Sequence, residues 1–178
     1  CLENLIYNIK YNVCGFVVNK KKQKLLNLKH LGYDKDLKIL KKKIKYACIG
    51  VGFVKKTYNK RIKIFKNLKR LGYMLPPVIS KNSIVSKSSS IGDGTQIFDK
   101  SIVRPDVMIG ENCIINTGAI IEHDVKIGDN CHISTGAIIN GNVIIGKNCF
   151  IGSGAIIVNN IKIKPYSFVK AGQLVKKS

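Results

Sequence analysis

Two adjacent polar side chains in the second half of the sequence could carry acid–base chemistry. His123 is followed directly by Asp124, and the pair interrupts a segment that is otherwise rich in isoleucine and valine. An imidazole titrates near neutral pH, so His123 could accept a proton from an attacking amine or hydroxyl without being permanently charged. The competing interpretation is that both residues are simply polar side chains at a solvent-facing corner of the fold.

The remaining histidines and the cysteines do not form a metal-binding pattern. The six cysteines contain no Cys-x-x-Cys pair, so we interpret them as reduced, small apolar residues. A metal hydrase would need three histidine ligands, but the second half of the chain contains only His123 and His132. His30 has no obvious partner and is expected at the surface. We therefore predict no metal cofactor.

Composition indicates a folded protein without a membrane span. The chain has 178 residues, of which 45% are apolar and 23% charged, enough to build a core. No apolar stretch approaches the roughly 18 residues that a membrane span needs, and no signal peptide is recognisable, so we expect a cytoplasmic protein. Because the chain opens on Cys1 inside a helical pattern, we expect its natural start to lie upstream.

The net charge of +21 is concentrated in the first half of the chain. Residues 1–77 carry 20 basic and 3 acidic side chains, whereas residues 78–178 carry 11 and 7. A basic region of this kind could bind nucleic acid, which keeps a non-catalytic binding or scaffold module as a distant alternative. The basic half lacks interleaved aromatic residues and recognisable nucleic-acid motifs, so we expect a solvated basic face that could also steer a diphosphate sugar.

The first half predicts an α/β domain with a parallel sheet. Apolar spacing there predicts helices over residues 2–9, 34–44 and 60–71, the last closed by Gly72, and strands over 13–18 and 46–49. Such alternation is typical of a small nucleotide-binding domain. Pro76 and Pro77 mark the predicted boundary between a domain over 1–77 and a second over 78–178.

The second half follows a six-residue period. Every sixth residue from Ile79 to Val175 is isoleucine or valine, 17 positions without a break. This is the hexapeptide repeat of a parallel β-helix, in which each repeat gives one strand and one turn and three repeats make a triangular coil. An 18-residue spacing also relates Gly92, Gly110, Gly128 and Gly146, and likewise Cys113, Cys131 and Cys149. We predict that the glycines serve turns and that the cysteines stack in one interior column.

Residues 114–124, Ile-Ile-Asn-Thr-Gly-Ala-Ile-Ile-Glu-His-Asp, and the following residues 125–134 resemble the NeuD/PglD-type sugar acetyltransferases. Weaker resemblances lie at residues 15–19 and at Ile49-Gly50. The resemblance implies a truncated Rossmann-like domain followed by a left-handed parallel β-helix. It also implies the use of acetyl-CoA and assembly into a homotrimer, in which the groove between neighbouring β-helices binds the coenzyme.

The same resemblance assigns roles to individual residues. His123 takes the position of the general base and Asp124 that of an acidic partner, shorter than the Glu of some members, which raises the basicity of the histidine. His132, Ser153 and Ala171 take positions that contact acetyl-CoA. Gly141 could offer a backbone N–H to the developing oxyanion, or could be only a turn residue.

Substrate contacts are implied at Val18, Asn19, Gly50 and Asn116, although Val18-Asn19 replaces an acidic pair of the family. Asn116 could equally be a residue of a side-chain ladder along the β-helix. The glycine-rich phosphate loop that opens the family's domain would precede the first residue of this chain. We predict acetyl transfer from acetyl-CoA to the amino group of a UDP-4-amino sugar. O-acetylation of a sialic-acid-like sugar is the alternative.

Overall fold

The computed structural model describes residues 12–18, 25, 27–53 and 58–177. The helix predicted over residues 2–9 lies outside them. In the first half, β1 (Phe16–Val17) pairs in parallel with β2 (His30–Gly32). A 3-10 helix, Asp34–Asp36, leads into a short helix, Leu37–Leu40, and a long helix follows at Tyr58–Arg70. No helix in the described part of the chain is long and apolar enough to cross a membrane.

The second half is a prism built from two-residue strands. They are β3 (Val78–Ile79), β4 (Ile84–Val85), β5 (Ser90–Ile91), β6 (Gln96–Ile97), β7 (Ile102–Val103), β8 (Met108–Ile109), β9 (Ile114–Ile115), β10 (Ile120–Ile121), β11 (Lys126–Ile127), β12 (His132–Ile133), β13 (Ile138–Ile139), β14 (Ile144–Ile145), β15 (Phe150–Ile151), β16 (Ile156–Ile157), β17 (Lys162–Ile163), β18 (Phe168–Val169) and β19 (Leu174–Val175).

These strands form three parallel sheets, one on each side of the prism. Sheet 1 contains β3, β6, β9, β12, β15 and β18; sheet 2 contains β4, β7, β10, β13, β16 and β19; sheet 3 contains β5, β8, β11, β14 and β17. Each strand pairs with the strand one coil later, as Ile121 pairs with Ile139. The predicted parallel β-helix with an 18-residue coil is confirmed, and its short repeated strands fit the left-handed form.

The prism core consists of the aliphatic residues of the six-residue repeat. Ile115, Ile121 and Ile133 are completely buried, as are their equivalents in the neighbouring coils. Towards the two ends of the prism Ile79 and Val175 are only partly buried, because no further coil covers them. Each buried isoleucine contributes about 1.5–3 kcal/mol relative to exposure, so the stacked aliphatic residues of the three sheets stabilise most of the second half.

The predicted cysteine column is also present inside the prism. Cys113, Cys131 and Cys149 are completely buried and stack one coil apart. The Cys131 thiol donates to the Gly146 carbonyl at 3.1 Å and accepts from the Cys149 N–H at 3.4 Å. The sulfur contact with Cys113, together with burial, raises the pKa of the Cys131 thiol. The thiols therefore satisfy backbone groups at one corner of the prism.

The 18-residue glycine column has a different cause from the one predicted. A β-carbon at Gly92 would lie 2.6 Å from the Gly110 carbonyl carbon, and one at Gly146 would lie 2.6 Å from the Pro165 nitrogen. The close approach of the next coil therefore excludes a side chain at these positions. Left-handed φ angles occur elsewhere in the turns, for example at Asp124 (φ 61°).

The first half departs from the predicted parallel sheet. The helix expected over 34–44 is only the 3-10 helix and the four-residue helix, and turns follow at the lysine run 41–43. The strand expected over 46–49 is a single bridge between Tyr46 and Met74. The residues that follow cannot extend it, because the carbonyls of Ile49 and Val51 bind Arg61 of the long helix. A truncated Rossmann-like domain is therefore not confirmed in the described residues.

The long helix packs the first half onto the prism. Its Phe65 and Leu68 join Ile49, Tyr73 and Leu75 in a small apolar cluster. The predicted helix end at Gly72 is confirmed: with φ 82°, Gly72 N–H donates to Lys69 O and Tyr73 N–H to Leu68 O, the pattern of a Schellman motif. Lys69 then forms a 2.7 Å ion pair with Asp93 of the first coil.

His30 lies in β2 and is half-buried. Its ring packs 5.3 Å from the ring of Phe16 and 5.1 Å from that of Tyr33, measured between centroids. The expectation that His30 is a surface residue is therefore wrong, because the β1–β2 pairing brings these aromatic rings against it.

Candidate active site

His123 and Asp124 occupy the corner between sheets 2 and 3. His123 Nδ1 lies 2.8 Å from Asp124 Oδ2, and both side chains are exposed, at 62% and 59%. An ionised carboxylate can only accept hydrogen bonds, so Nδ1 carries the hydrogen and Nε2 presents a lone pair. The shorter aspartate thus reaches the imidazole, and the arrangement leaves one ring nitrogen able to accept a proton.

Gly141 lies one coil beyond His123 at the same corner and is buried beneath its ring. A β-carbon at Gly141 would lie 2.7 Å from His123 Cε1 and 2.8 Å from Nε2. The Asn142 N–H donates to the His123 carbonyl at 3.0 Å, which ties the two coils together. Gly141 is therefore more than a turn residue, since only glycine lets the imidazole lie against this part of the corner.

His132 lies on the outer side of sheet 1, buried under the first half of the chain. Its Nδ1 donates to the Phe53 carbonyl at 3.1 Å, and its Nε2 lies 3.5 Å from the Asn116 amide nitrogen. Burial lowers the pKa of His132 to about 4; the Phe53 carbonyl opposes this and the charge of Arg61 adds to it. His132 is thus neutral at physiological pH and offers Nε2 as a hydrogen-bond acceptor.

The other residues predicted to contact the coenzyme lie on a different corner from His123. Ser153 and Ala171 are exposed at the corner between sheets 1 and 2, and the Gly172 N–H donates to the Ser153 carbonyl at 2.8 Å. Sheet 2 separates this corner from the His123 corner. One chain alone therefore does not bring His123 together with Ser153 and Ala171.

The predicted substrate residues are only partly brought together. Val18 follows β1 and donates its N–H to Gly32 at 3.3 Å, within the small two-stranded sheet. Asn19 lies outside the described residues. Gly50 is exposed in the loop that also contains Phe53, which contacts His132, and Asn116 lies beside His132. The Gly50 loop, Asn116 and His132 thus form one region where the first half meets sheet 1.

Arg61 is a residue of this region that sequence reasoning missed. It is completely buried and donates to the carbonyls of Ile49 and Val51 in the Gly50 loop. The helical spacing to Phe65 and Leu68, four and seven residues further on, places it on the buried face of the long helix. That spacing was the available signal, but Arg61 lies among lysines in a basic half for which a solvated face was predicted.

The described residues contain no group of three or more His, Cys, Asp or Glu side chains arranged to hold a metal ion. The candidate site consists instead of an exposed histidine–carboxylate pair, a buried neutral histidine and a glycine whose lack of a side chain leaves room for the exposed ring. This set can transfer protons and donate hydrogen bonds.

Comparisons with known protein families agree with the repeat pattern. The family described as "Bacterial transferase hexapeptide (six repeats)" matches residues 88–123 and 106–141. The family described as "Hexapeptide repeat of succinyl-transferase" matches residues 142–172. No curated protein sequence matched the chain.

Solved structures provide closer comparisons. A histidine-to-asparagine variant of perosamine N-acetyltransferase from Caulobacter crescentus, in complex with CoA and GDP-perosamine, is 26% identical with a TM-score of 0.82, covering 88% of this chain and 73% of that one. The acetyltransferase domain of PglB from Neisseria gonorrhoeae, in complex with acetyl coenzyme A, is 26% identical with a TM-score of 0.83, covering 90% and 78%. WeeI from Acinetobacter baumannii, at 23% identity and a TM-score of 0.69, covers 90% and 81% and supports the fold.

The repeats, the fold and these matches place the chain among the hexapeptide-repeat acetyltransferases. Within that class, the similarity to the perosamine N-acetyltransferase and to the PglB acetyltransferase domain agrees with the NeuD/PglD type predicted from residues 114–134.

Proposed function

We propose that the protein transfers the acetyl group of acetyl-CoA to the amino group of a nucleotide-activated sugar, with His123 as the general base. The observation that carries the proposal is the 2.8 Å contact between His123 Nδ1 and Asp124, which leaves Nε2 free to accept a proton. The similarity to an N-acetyltransferase in complex with GDP-perosamine supports an amino sugar as the acceptor. The identity of the nucleotide, for which the sequence favours uridine, stays a prediction.

The chemistry follows from the position of the proton acceptor. A protonated amine is not a nucleophile, so the acceptor must lose a proton as its nitrogen attacks the thioester carbonyl. A C–N bond forms, the C–S bond breaks, His123 Nε2 takes the amine proton, and the coenzyme leaves as its thiol. Asp124 stabilises the imidazolium that forms and keeps the hydrogen on Nδ1.

Gly141 is suited to the oxyanion that develops during this attack. Its backbone lies against the Nε2 side of the His123 ring, where the reacting groups must meet. A backbone N–H at this place would donate to the thioester oxygen as it gains charge, and one such donor is worth roughly 10²-fold or more in rate. A side chain at this position would instead push the His123 ring away from the reacting groups.

Assembly into a homotrimer would complete the site. The outer side of sheet 2 carries an apolar column with 18-residue spacing, formed by Ile84, Ile102, Ile120, Ile138, Ile156 and Leu174. Ile84 is 64% exposed and Leu174 49%, and such exposed columns are typical of subunit interfaces. A closed ring of chains packed through sheet 2 brings the His123 corner of one chain close to the Ser153 corner of the next.

Acetyl-CoA would then lie in the cleft between two chains. Ser153 and Ala171 are small and exposed, so they leave room for an extended ligand along their corner. His132 Nε2, held as an acceptor beside the Gly50 loop, suits an N–H or hydroxyl of the acceptor sugar. The exposed Gly50 loop and Asn116 lie next to His132 and suit the nucleotide sugar.

An acceptor panel tests this function. Purified protein is incubated with acetyl-CoA and UDP-, GDP- or dTDP-linked amino sugars, or with sialic-acid-type sugars, and products are identified by mass spectrometry. We expect an acetamide on a nucleotide-linked sugar, stable to mild base. Formation of a base-labile ester on a sialic-acid-type sugar would replace the proposal with O-acetylation, and no product with any acceptor would contradict both.

A further inference from the structure

Arg61 is a buried cation without an anionic partner in the described part of the chain. The residue is 0% exposed, and its guanidinium donates to three carbonyl oxygens: Ile49 at 3.1 Å, Val51 at 2.8 Å and Gly94 at 3.1 Å. Burial lowers the pKa of Arg61 to about 10, so it is still charged at neutral pH. Burying a charge without a counter-ion is costly, and a bound anion would offset that cost.

The loop held by Arg61 presents an outward-facing backbone donor. No described peptide bond is cis, so each N–H points opposite to the carbonyl of the same peptide. Because the Ile49 carbonyl points at Arg61, the Gly50 N–H of that peptide points away from it. Gly50 is exposed, and a β-carbon there would meet no atom within 4 Å. A ligand therefore has room to approach this residue.

The same loop reaches the catalytic half of the molecule. Three residues after Gly50, the Phe53 carbonyl accepts a hydrogen bond from His132 at 3.1 Å, and the Arg61 guanidinium lies 5.9 Å from the centre of the Phe53 ring. Arg61 also holds Gly94 in the prism through its carbonyl. A single side chain thus fixes the loop, the edge of the prism and the contact that orients His132.

We propose that Arg61 is a positioning residue for the diphosphate of the nucleotide sugar. It fixes the loop so that the Gly50 N–H donates to the diphosphate, and its unpaired charge attracts that anion. The inference rests on the proposed function and deepens it, because it names which group of the substrate the buried charge serves. The coenzyme, which we place at the prism corners, is not held by this loop.

The test compares nucleotide binding with coenzyme binding. The affinities of UDP, GDP and dTDP are measured by calorimetry at low and high salt for the wild type, Arg61→Met, Arg61→Lys and the control Arg70→Met. Arg70 is exposed on the same helix, and its guanidinium donates to Asn67 at 3.0 Å. Arg70→Met therefore removes one positive charge, as Arg61→Met does, but from an exposed position. Steady-state kinetics then give the KM of the nucleotide sugar and of acetyl-CoA for each variant.

We expect Arg61→Met to weaken nucleotide binding at least tenfold, and more strongly at low salt, while the KM of acetyl-CoA changes less than twofold. Arg61→Lys keeps the charge but cannot reach three carbonyls, so its nucleotide-sugar KM should lie between those of the wild type and Arg61→Met. Arg70→Met should match the wild type. A purely structural role would instead alter both KM values and the melting temperature together.

A folded Arg61→Met protein that binds nucleoside diphosphates as the wild type does would overturn the inference. If Arg61→Met does not fold, Arg61→Lys decides: an unchanged nucleotide-sugar KM overturns the inference, and a raised one with an unchanged acetyl-CoA KM supports it. A wild-type protein that binds no nucleoside diphosphate contradicts the proposed function itself, and this result is reached before any variant is compared.

Discussion

Replacing Gly141 by alanine should disable the site by displacing His123 while leaving the fold intact. The new methyl group would lie 2.7 Å from Cε1 and 2.8 Å from Nε2 of the imidazole. Carbon atoms in ordinary contact sit about 3.5–4.0 Å apart, so the ring must move by roughly 1 Å. A misplacement of about 1 Å can cost roughly 10²-fold in rate, or about 2.7 kcal/mol of transition-state stabilisation.

Stability should change little, because the His123 side chain is 62% exposed and can turn into solvent. The assay follows thiol release from acetyl-CoA with a chromogenic reagent at saturating acceptor, and thermal unfolding is recorded alongside. A double-mutant cycle provides the control. In the His123→Ala background no ring remains to be displaced, so Gly141→Ala should change the remaining rate less than about twofold if it acts through the ring.

Two results would refute this reasoning. A Gly141→Ala rate within about twofold of the wild type would show that the ring can shift without loss of activity. The packing of His123 against Gly141 would then not position the base. An equal loss in the wild-type and His123→Ala backgrounds would place the effect in the Gly141 backbone rather than in the histidine.

Three further predictions concern the neutral histidine, the thiol column and the assembly. The pKa of His132 falls from 6.5 to about 4 on folding, so its contribution to stability is complete above pH 6.5 and is lost as the pH falls through about 4. The free energy of unfolding, followed by denaturant titration, should therefore fall by about 3 kcal/mol across this range, and this loss should be absent in His132→Phe. Cys131→Ala leaves the Gly146 carbonyl and the Cys149 N–H unpaired, so it should lower the free energy of unfolding by about 1–3 kcal/mol in the same assay. Cys131→Ser should recover much of that loss, and equal losses in the two variants would contradict the account. Ile138→Glu on the outer side of sheet 2 should yield monomers by light scattering and abolish turnover, whereas Lys126→Glu on sheet 3 should leave trimers intact; trimeric Ile138→Glu protein would place the interface elsewhere.

The prism could be predicted because its packing is local and periodic. Each inward isoleucine recurs at the sixth position and packs on its equivalent 18 residues away, so the sequence period directly specifies the three-dimensional neighbours. The packing of His123 against Gly141 follows from the same period, since the two residues are 18 residues, or one coil, apart. His123 and Ser153 are 30 residues apart, not a multiple of 18, and this spacing already places them on different corners.

The first half could not be predicted in the same way, because long-range contacts decide its structure. The carbonyls of Ile49 and Val51 bind Arg61 rather than a neighbouring strand, so local strand propensity was overridden by a buried side chain. The burial of His132 likewise depends on Phe53, 79 residues earlier in the chain. Neither contact leaves a periodic signal in the sequence.

The most direct test of the account is the turnover number of His123→Ala with acetyl-CoA and the best nucleotide-linked amino sugar. A positioned general base contributes roughly 10²–10⁴-fold, and we predict a loss of kcat in that range with an unchanged melting temperature. A His123→Ala enzyme that keeps a rate within about twofold of the wild type would contradict the account, and His123 would then be a corner residue without a role in proton transfer.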